Sequence, residues 1–265
     1  MKLSVIVATY NRPDALKRVL EGLLNQSSVP HEIIVADDGS RGETTNLVNQ
    51  IVSLSPRCPV LHVWHEDLGF RLAEIRNRAI LKSSGDYIVS IDGDCIPGRH
   101  FIKDHMRLAK PGFFFQGKRV IVEQELEASF DFDKTNRILE LFMDALKGRI
   151  SNAHHLLRMP LFPALTTTRL SGVRGCNMGF FREDLFAVNG FNQDFKGWGR
   201  EDSELVARLY NYGLRRREHP FMAVCFHLWH RENDRGNFMK NDAMLKETLL
   251  SGNFWCTNGL TRCSR

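Results

Sequence analysis

A few short stretches carry side chains capable of chemistry. "IDGDC" (91–95) sets Asp92 and Asp94 one residue apart after an apolar run. Carboxylates so spaced at a strand end can face one divalent cation; hard oxygen ligands suit Mn2+ or Mg2+, and such an ion would neutralise a diphosphate. An ordinary Asp-Gly turn would use the same residues for conformation alone. "FHLWHRE" (226–232) adds His227 and His230, and imidazole nitrogen is a ligand for manganese-type ions as well as for zinc. "TYNRP" (9–13) offers Tyr10 for stacking on a base and Arg12 for a phosphate. In the plainer reading Asn11 caps a helix that has Pro13 in its first turn. "ADDGS" (36–40) holds carboxylates able to accept from a base or ribose. "EIRNRA" (74–79) puts Arg76 and Arg78 on a helix, where a solvated charged face is the ordinary meaning. "FKGWGREDSELVARLYNYG" (195–213) places Glu201 and Asp202 between a Gly-Trp-Gly turn and a helix, a position where an acidic residue can also serve as a cap.

These clusters need a frame. Apolar, β-branched runs at 3–8, 32–37, 60–65 and 86–92 predict strands, the first buried on both faces. Helical spacing links them: Leu16, Val19, Leu20, Leu23 and Leu24 after Pro13; Leu47, Ile51 and Leu54 within 43–54; and 71–84, closed by Gly85. That alternation predicts an α/β class, a Rossmann-like and mostly parallel sheet flanked by helices, with ligands beyond the carboxyl ends of the strands. The polar clusters at 9–13, 36–40 and 91–95 fall there. Past residue 110 the rhythm changes. Expected are a strand over 113–123, one long helix or two over 134–157, a loop over 158–168 and a strand-to-helix segment at 176–183. A helix over 201–212 follows, with Leu205, Leu209 and Tyr212 on one face and Gly213 as its stop, then a strand over 221–229 and a helix over 237–252. With no linker or repeat, the halves 1–110 and 111–265 are expected to be continuous.

The bulk numbers are ordinary for a soluble globular protein: 265 residues, 43% hydrophobic, 25% charged. The net charge of +5 suits solubility and also phosphates or an acidic membrane face; no nucleic-acid partner is expected. Six cysteines without a C-x-x-C pair are expected to be reduced thiols of a cytoplasmic protein. The N-terminal apolar run is too soon interrupted for a signal peptide, and no run approaches a membrane span. A dinucleotide oxidoreductase or a nucleotidyltransferase would want a glycine-rich loop after the first strand, and "TYNRP" has none.

Taken in order, "SVIVATYNRPDALKRVLEGLLNQ", "EIIVADDGS", "RNRAI" and "GDYIVSIDGDCIP" resemble the donor-binding half of glycosyltransferase family 2, inverting enzymes of the GT-A fold. Residues 172–214 are similar to the C-terminal region of β-1,4-galactosyltransferases and chondroitin-polymerase-type enzymes, Trp-Gly-x-Glu-Asp at 198–202 being the most specific piece. The resemblance implies that Tyr10 and Asp38 hold the uracil of a UDP donor and that Arg12 and Arg76 approach the base or diphosphate. Asp92 would face ribose or metal, Asp94 would bind Mn2+ (or Mg2+), and His230 and His227 would complete the metal site. Trp198 and Glu201 would line the acceptor pocket, and Asp202 would be the general base. The implied donor is UDP-galactose or UDP-N-acetylgalactosamine, with UDP-glucose next; the implied acceptor is a bacterial surface glycan or glycolipid (lipopolysaccharide, O-antigen or capsule). The expected place is the cytoplasm, with peripheral contact at the inner membrane left open. Ser203 departs from relatives that carry a third acidic residue there, and Arg200 adds a cation beside the pocket that would suit an anionic acceptor. Residues 123–170 match nothing; the helical part reads as a cover for the acceptor cleft or as a basic amphipathic helix on a membrane. A catalytically inactive nucleotide-sugar- or glycan-binding protein is the alternative of another class.

Overall fold

Continuous apolar runs bury strands on both faces. In the computed structural model, which describes residues 1–54, 56–231 and 234–263, the first half runs β1 (Leu3–Thr9), α1 (Pro13–Leu24), β2 (Glu32–Asp37), α2 (Gly42–Ser53), β3 (Val60–Trp64), α3 (Leu72–Lys82) and β4 (Tyr87–Asp92). These strands pair in parallel, with β2 on one side of β1 and β4 on the other. Alternate residues feed two cores. Val5, Val7, Val35 and Val89 pack with Leu16, Leu20 and Leu23 of α1 and Val48 of α2. Ile6, Ile34 and Ile88 pack with Ile75 and Ile80 of α3. The order reverses at the β1/β4 pair, which opens a crevice at the carboxyl ends of those two strands.

The second half runs β5 (Cys95–Pro97), α4 (Phe101–Leu108), β6 (Phe113–Gln116), β7 (Lys118–Val122), α5 (Gln124–Glu127), α6 (Ile138–Leu146), β8 (Ile150–Ser151) and β9 (Leu165–Thr167). Then follow β10 (Asn177–Phe181), α7 (Arg182–Ala187), α8 (Glu201–Asn211), β11 (Arg215–Glu218), β12 (Val224–His227), α9 (Phe238–Ser251) and α10 (Leu260–Cys263). Among the described residues the main sheet has eight strands, β3-β2-β1-β4-β10-β6-β11-β9, and a second sheet has four, β5-β12-β7-β8. β10 is antiparallel to β4, so the main sheet is mixed and draws on both halves of the chain.

Several local expectations differ from the structure. The strand expected over 113–123 is two strands in two sheets, parted at Gly117. A Cβ there would stand 2.1 Å from Asn177 Nδ2, and that buried amide donates to the Lys118 and Ala223 carbonyls. α3 ends at Lys82, so Gly85 is no cap; it lets the chain pass Ser4, whose Oγ a Cβ would approach to 2.4 Å. Asn11 is not the N-cap of α1: it has φ +48, and its side chain accepts from the Arg41 N–H. Leu54 and Tyr212 face outward rather than into the core. The stretch 134–157 is no long helix but a 3-10 turn at Lys134–Asn136, the nine-residue α6, β8 and a second 3-10 turn at Ala153–Leu156. The expected loop 158–168 ends in β9, which pairs with β11, and only Val224–His227 of 221–229 is strand. α6 turns Leu139 (79% exposed) and Leu146 (82% exposed) outward, along with Met143. Among the described residues no helix is long and apolar enough to cross a membrane.

His105 of α4 is fully buried, and its Nε2 lies 3.0 Å from the Asn177 Oδ1 acceptor. Burial pushes the imidazole down to about 4, against the Asn177 hydrogen bond and the Asp104 charge. The unfolded chain therefore takes up this proton first as pH falls below about 6.5. Stability is expected to drop between pH 6.5 and 4, by about 3 kcal/mol from this residue. Urea unfolding across that range should show the slope, and His105→Gln, which keeps a donor for Asn177, should flatten it by one proton.

Candidate active site

The crevice is built from the ends of β1, β4 and β12 and the start of α8. Asp94, just past β4, is the hub. Its Oδ2 accepts from Arg12 Nη1 at 2.8 Å and lies 3.5 Å from His230 Nε2; its Oδ1 lies 3.8 Å from His227 Nε2. Antiparallel pairing sets His227 opposite Cys95. Asp94, Cys95 and His227 each present one ligand atom within 4.8 Å of the others. Burial holds the His227 imidazole below its ordinary value, so Nε2 keeps the lone pair a metal needs. Asp94 and His227 of that group are an oxygen-plus-imidazole pair, a donor chemistry that a manganese-type ion accepts, and His230 Nε2 lies beside Asp94 without belonging to the group. Arg12, which also donates to the Trp229 carbonyl, supplies the compensating charge beside Asp94.

Arg76 crosses from the metal side to the helix side. Its side chain is 2% exposed, with Nη2 at 2.8 Å from Asp92 Oδ1 and Nη1 at 3.3 Å from Glu201 Oε1. It is therefore a buried bridge rather than the solvated face its spacing suggests, and Arg78, paired with Glu74, is the exposed member. Burial and the neighbouring Asp202 push the Glu201 carboxyl up to about 7, against the Arg76 charge. Burial likewise raises Asp92, opposed by the same guanidinium.

Asp202 stands in the first turn of α8. Gly197, Gly199 and Arg200 all have positive φ, so the chain coils tightly before the helix begins. Asp202 Oδ2 accepts from the Gly175 N–H at 2.8 Å, and Oδ1 from the Ser203 N–H at 2.6 Å. Oδ2, with one donor, keeps a lone pair for a further proton. Trp198 stacks on Phe238 at 6.0 Å between centroids, with the Arg235 guanidinium 5.0 Å from its ring. Arg200 is paired with Asp242 at 2.8 Å and lies over Phe238, so the cation expected to serve an acceptor is already matched.

At the base of the crevice Tyr10 is 46% exposed, and its hydroxyl donates to Asp67 Oδ2 at 2.9 Å. Asp38 differs from the expectation of a ligand-facing carboxylate. It is buried, with Oδ1 2.7 Å from His65 Nε2 and Oδ2 accepting from the Arg71 N–H at 2.9 Å. It thereby anchors the 65–71 segment, which carries Asp67. Asp67 was not singled out in the sequence; "HEDLGF" (65–70) has no motif, and the Asp38 anchor and packing on Gly39 place it.

A second group absent from the sequence reading lies beneath the hub. Cys95, Cys176 and Cys225 come from three separate stretches and lie close together in the interior, where Cys225 Sγ donates to the Lys118 carbonyl and Cys176 Sγ accepts from Arg119 Nη1. The neighbouring Cys225 and Cys95 thiols, with the Arg119 charge, hold Cys176 well below its ordinary value despite burial.

Residues 4–167 match the family model described as "Glycosyl transferase family 2". The chain belongs to that family. As a family 2 glycosyltransferase it continues with a second match: residues 165–231 fit the model described as "N-terminal domain of galactosyltransferase", which covers the Trp198–Asp202 motif and His227 and His230. Among curated relatives, chondroitin synthase from Escherichia coli is 28% identical over 80% of this chain and 32% of its own length. Validoxylamine A glucosyltransferase from Streptomyces hygroscopicus subsp. limoneus is 30% identical over 80% and 48%. The chain thus spans about a third to a half of these two relatives. Among solved structures, S. aureus TarS 1–349 in complex with UDP-GlcNAc has a TM-score of 0.66 at 16% identity, covering 94% of this chain and 67% of that one. The mannosyltransferase PcManGT from Pyrobaculum calidifontis, in complex with GDP-Man and Mn2+, has a TM-score of 0.57 at 22% identity, covering 94% and 63%. These likenesses show the GT-A fold.

Proposed function

We propose that this family 2 glycosyltransferase moves a hexose, galactose or N-acetylgalactosamine before glucose, from a UDP-sugar to a bacterial surface glycan or glycolipid, with inversion and metal dependence. The observation that carries the reading is the Arg76 bridge, which ties Asp92, next to the Asp94–His227–His230 group, to Glu201 at the start of α8. Donor-side and acceptor-side residues are thereby one cluster. Tyr10 and Asp67 receive the base, with Asp38 behind them. Asp94, His230 and His227 would hold the ion, which supplies charge to neutralise the leaving diphosphate. Asp202 Oδ2, oriented by Gly175, takes the proton of the acceptor hydroxyl as its oxygen bonds to the anomeric carbon and the bond to UDP breaks. Glu201 and Trp198 hold the acceptor ring. TarS bound to UDP-GlcNAc and PcManGT bound to GDP-Man and Mn2+ support a sugar-nucleotide donor and a divalent ion. The outward Leu139, Met143 and Leu146 stripe supports peripheral contact with a membrane surface.

The test is thermal unfolding with a panel of UDP-sugars, with and without Mn2+. A donor at 100 times its Kd should add about 2.7 kcal/mol of stability; no ligand-induced shift under any condition would refute the reading. Asp94→Ala and His230→Ala should each weaken Mn2+-dependent UDP binding at least about tenfold, as loss of a metal-site partner typically does. A full metal response in both variants removes them from the site.

A further inference from the structure

Two of the cysteines beneath Asp94 are held by the same two stretches of backbone. In the second sheet the parallel register sets Cys225 opposite Arg119, and His227 opposite Ile121, so Cys225 and His227 point to one face of β12. The Arg119 guanidinium brings Cys176 to that face: its Nη1 donates to Cys176 Sγ at 3.8 Å. Cys225 Sγ donates to the Lys118 carbonyl at 3.6 Å and accepts from Asn177 Nδ2 at 3.7 Å. Residues 118–119 and 176–177 thus fix both sulfurs. The proposed sugar transfer uses neither of them.

Cys176 also has a path to solvent. It lines, with Arg119 and His155, a cavity of about 170 Å3 where β6 and β7 part. One water needs about 10–15 Å3 of such space, so a molecule of two oxygens enters with room to spare. Other thiols differ. Cys58 borders a larger hollow of about 400 Å3, and access alone would favour it. Burial pushes the Cys58 and Cys256 thiols up to about 11, however, which keeps them protonated and poorly nucleophilic at neutral pH. A guanidinium in contact with sulfur has the opposite effect, because it favours the thiolate that reacts.

We propose that Cys176 is a peroxide-sensitive thiol and Cys225 its resolving partner, the two closing a reversible disulfide. The Cys176 thiolate attacks one oxygen of hydrogen peroxide. The S–O bond forms as the O–O bond breaks, and the departing hydroxide takes back from solvent the proton that the thiol released, leaving as water. The Cys225 sulfur then attacks the sulfenic acid. The S–S bond forms as the S–O bond breaks, and the Cys225 proton leaves with that oxygen as a second water. The two sulfurs lose two electrons in all, and the peroxide gains them. The bond would tie the 175–177 segment, whose Gly175 N–H holds Asp202, to β12, which carries His227. Oxidation is therefore expected to disturb the ion-binding end of the crevice. That consequence rests on the transferase reading above; the chemistry at sulfur does not.

Peptide mapping of the full chain after brief treatment with hydrogen peroxide tests the thiol pair. Cys176 and Cys225 should be lost as free thiols and found linked to each other, and a phosphine reductant should restore both. Cys176 should react at least about tenfold faster than Cys58, whose thiol stays protonated. In Cys225→Ala the sulfenic acid should persist at Cys176 and be captured by a 1,3-diketone probe; should that variant not fold, mapping of the parent chain decides alone. Oxidation that starts at Cys58, a link from Cys176 to Cys95 instead, or both thiols intact under peroxide would each overturn the assignment. Calorimetry with UDP and Mn2+ measures the consequence. Affinity of the oxidised chain should fall at least about tenfold, as disturbance of a metal site's supporting groups typically costs, and return on reduction. Equal affinity in the two states overturns the coupling to the crevice. Absence of UDP binding by the reduced chain strikes the transferase reading instead, and the mapping still decides the thiol pair.

Discussion

Asp202→Asn is expected to lower kcat by about 10²–10⁴-fold, the usual contribution of a positioned general base, while the Kd for UDP-sugar stays within about twofold. The amide keeps the size of the carboxylate, and its oxygen can still accept from the Gly175 N–H that holds Oδ2 in place. What it loses is a basic lone pair. The acceptor hydroxyl then has no group to take its proton as the new bond forms. Because the groups proposed to hold the donor lie on the other side of the Arg76 bridge, its affinity should be spared. Steady-state transfer with a competent acceptor, beside calorimetry with UDP-sugar, reads both quantities. Turnover equal to that of the parent enzyme would remove Asp202 from the chemistry and leave it as a helix-start residue. Parallel loss of donor binding would point to collapse of the 172–176 segment instead.

Arg76→Met should be the most destabilising single change in the site. The guanidinium is fully buried and faces Asp92 and Glu201. Methionine fills much of the stem volume but leaves the largely buried Glu201 and the partly exposed Asp92 without a cation. Removing one partner of a buried pair costs about 3–5 kcal/mol, or a fall in Tm of roughly 6–20 °C for a chain of this size. The sign of the pH dependence distinguishes this cause from a packing defect. Glu201 is raised to about 7 even with Arg76 in place. Without the cation its folded-state value rises further, so the folded form favours the protonated acid. The penalty should then be smallest near pH 4 and grow as pH rises through 7. Adding Glu201→Gln should recover part of the loss. A variant as stable as the parent at pH 8, by urea unfolding, would show that the bridge contributes nothing.

The first half was legible because its signals are local. Runs of Val and Ile between helical spacings specify β1, β2 and β4 to within a residue or two, since each run is buried by its own immediate neighbours. The same locality marked Asp92, Asp94 and the Trp198–Asp202 turn, where a strand or helix end dictates both conformation and exposure. The second half was less legible because its strands are short and their partners distant. Gly117 reads as one residue inside a single apolar strand, yet it is the point where the chain leaves one sheet for another. Arg76 reads as a surface arginine on a helix; only the arrival of Glu201, 125 positions later, makes it a buried bridge. Asp38 sits in a recognisable motif, and its inward turn depends on His65 and on the Arg71 N–H, neither of which the motif contains.

What the amino-acid order determined alone is the α/β alternation, the strand-end carboxylates, the paired histidines and the acidic start of α8, because periodicity and turn chemistry act over a few residues. What only the tertiary structure decided is which charges meet. Arg12 lies against Asp94, Arg76 joins Asp92 to Glu201, and three cysteines gather beneath Asp94 beside Arg119. The physical reason is that Coulomb and hydrogen-bond energies depend on distances and burial measured in ångströms, and those are set by packing between segments that the order of residues does not place side by side.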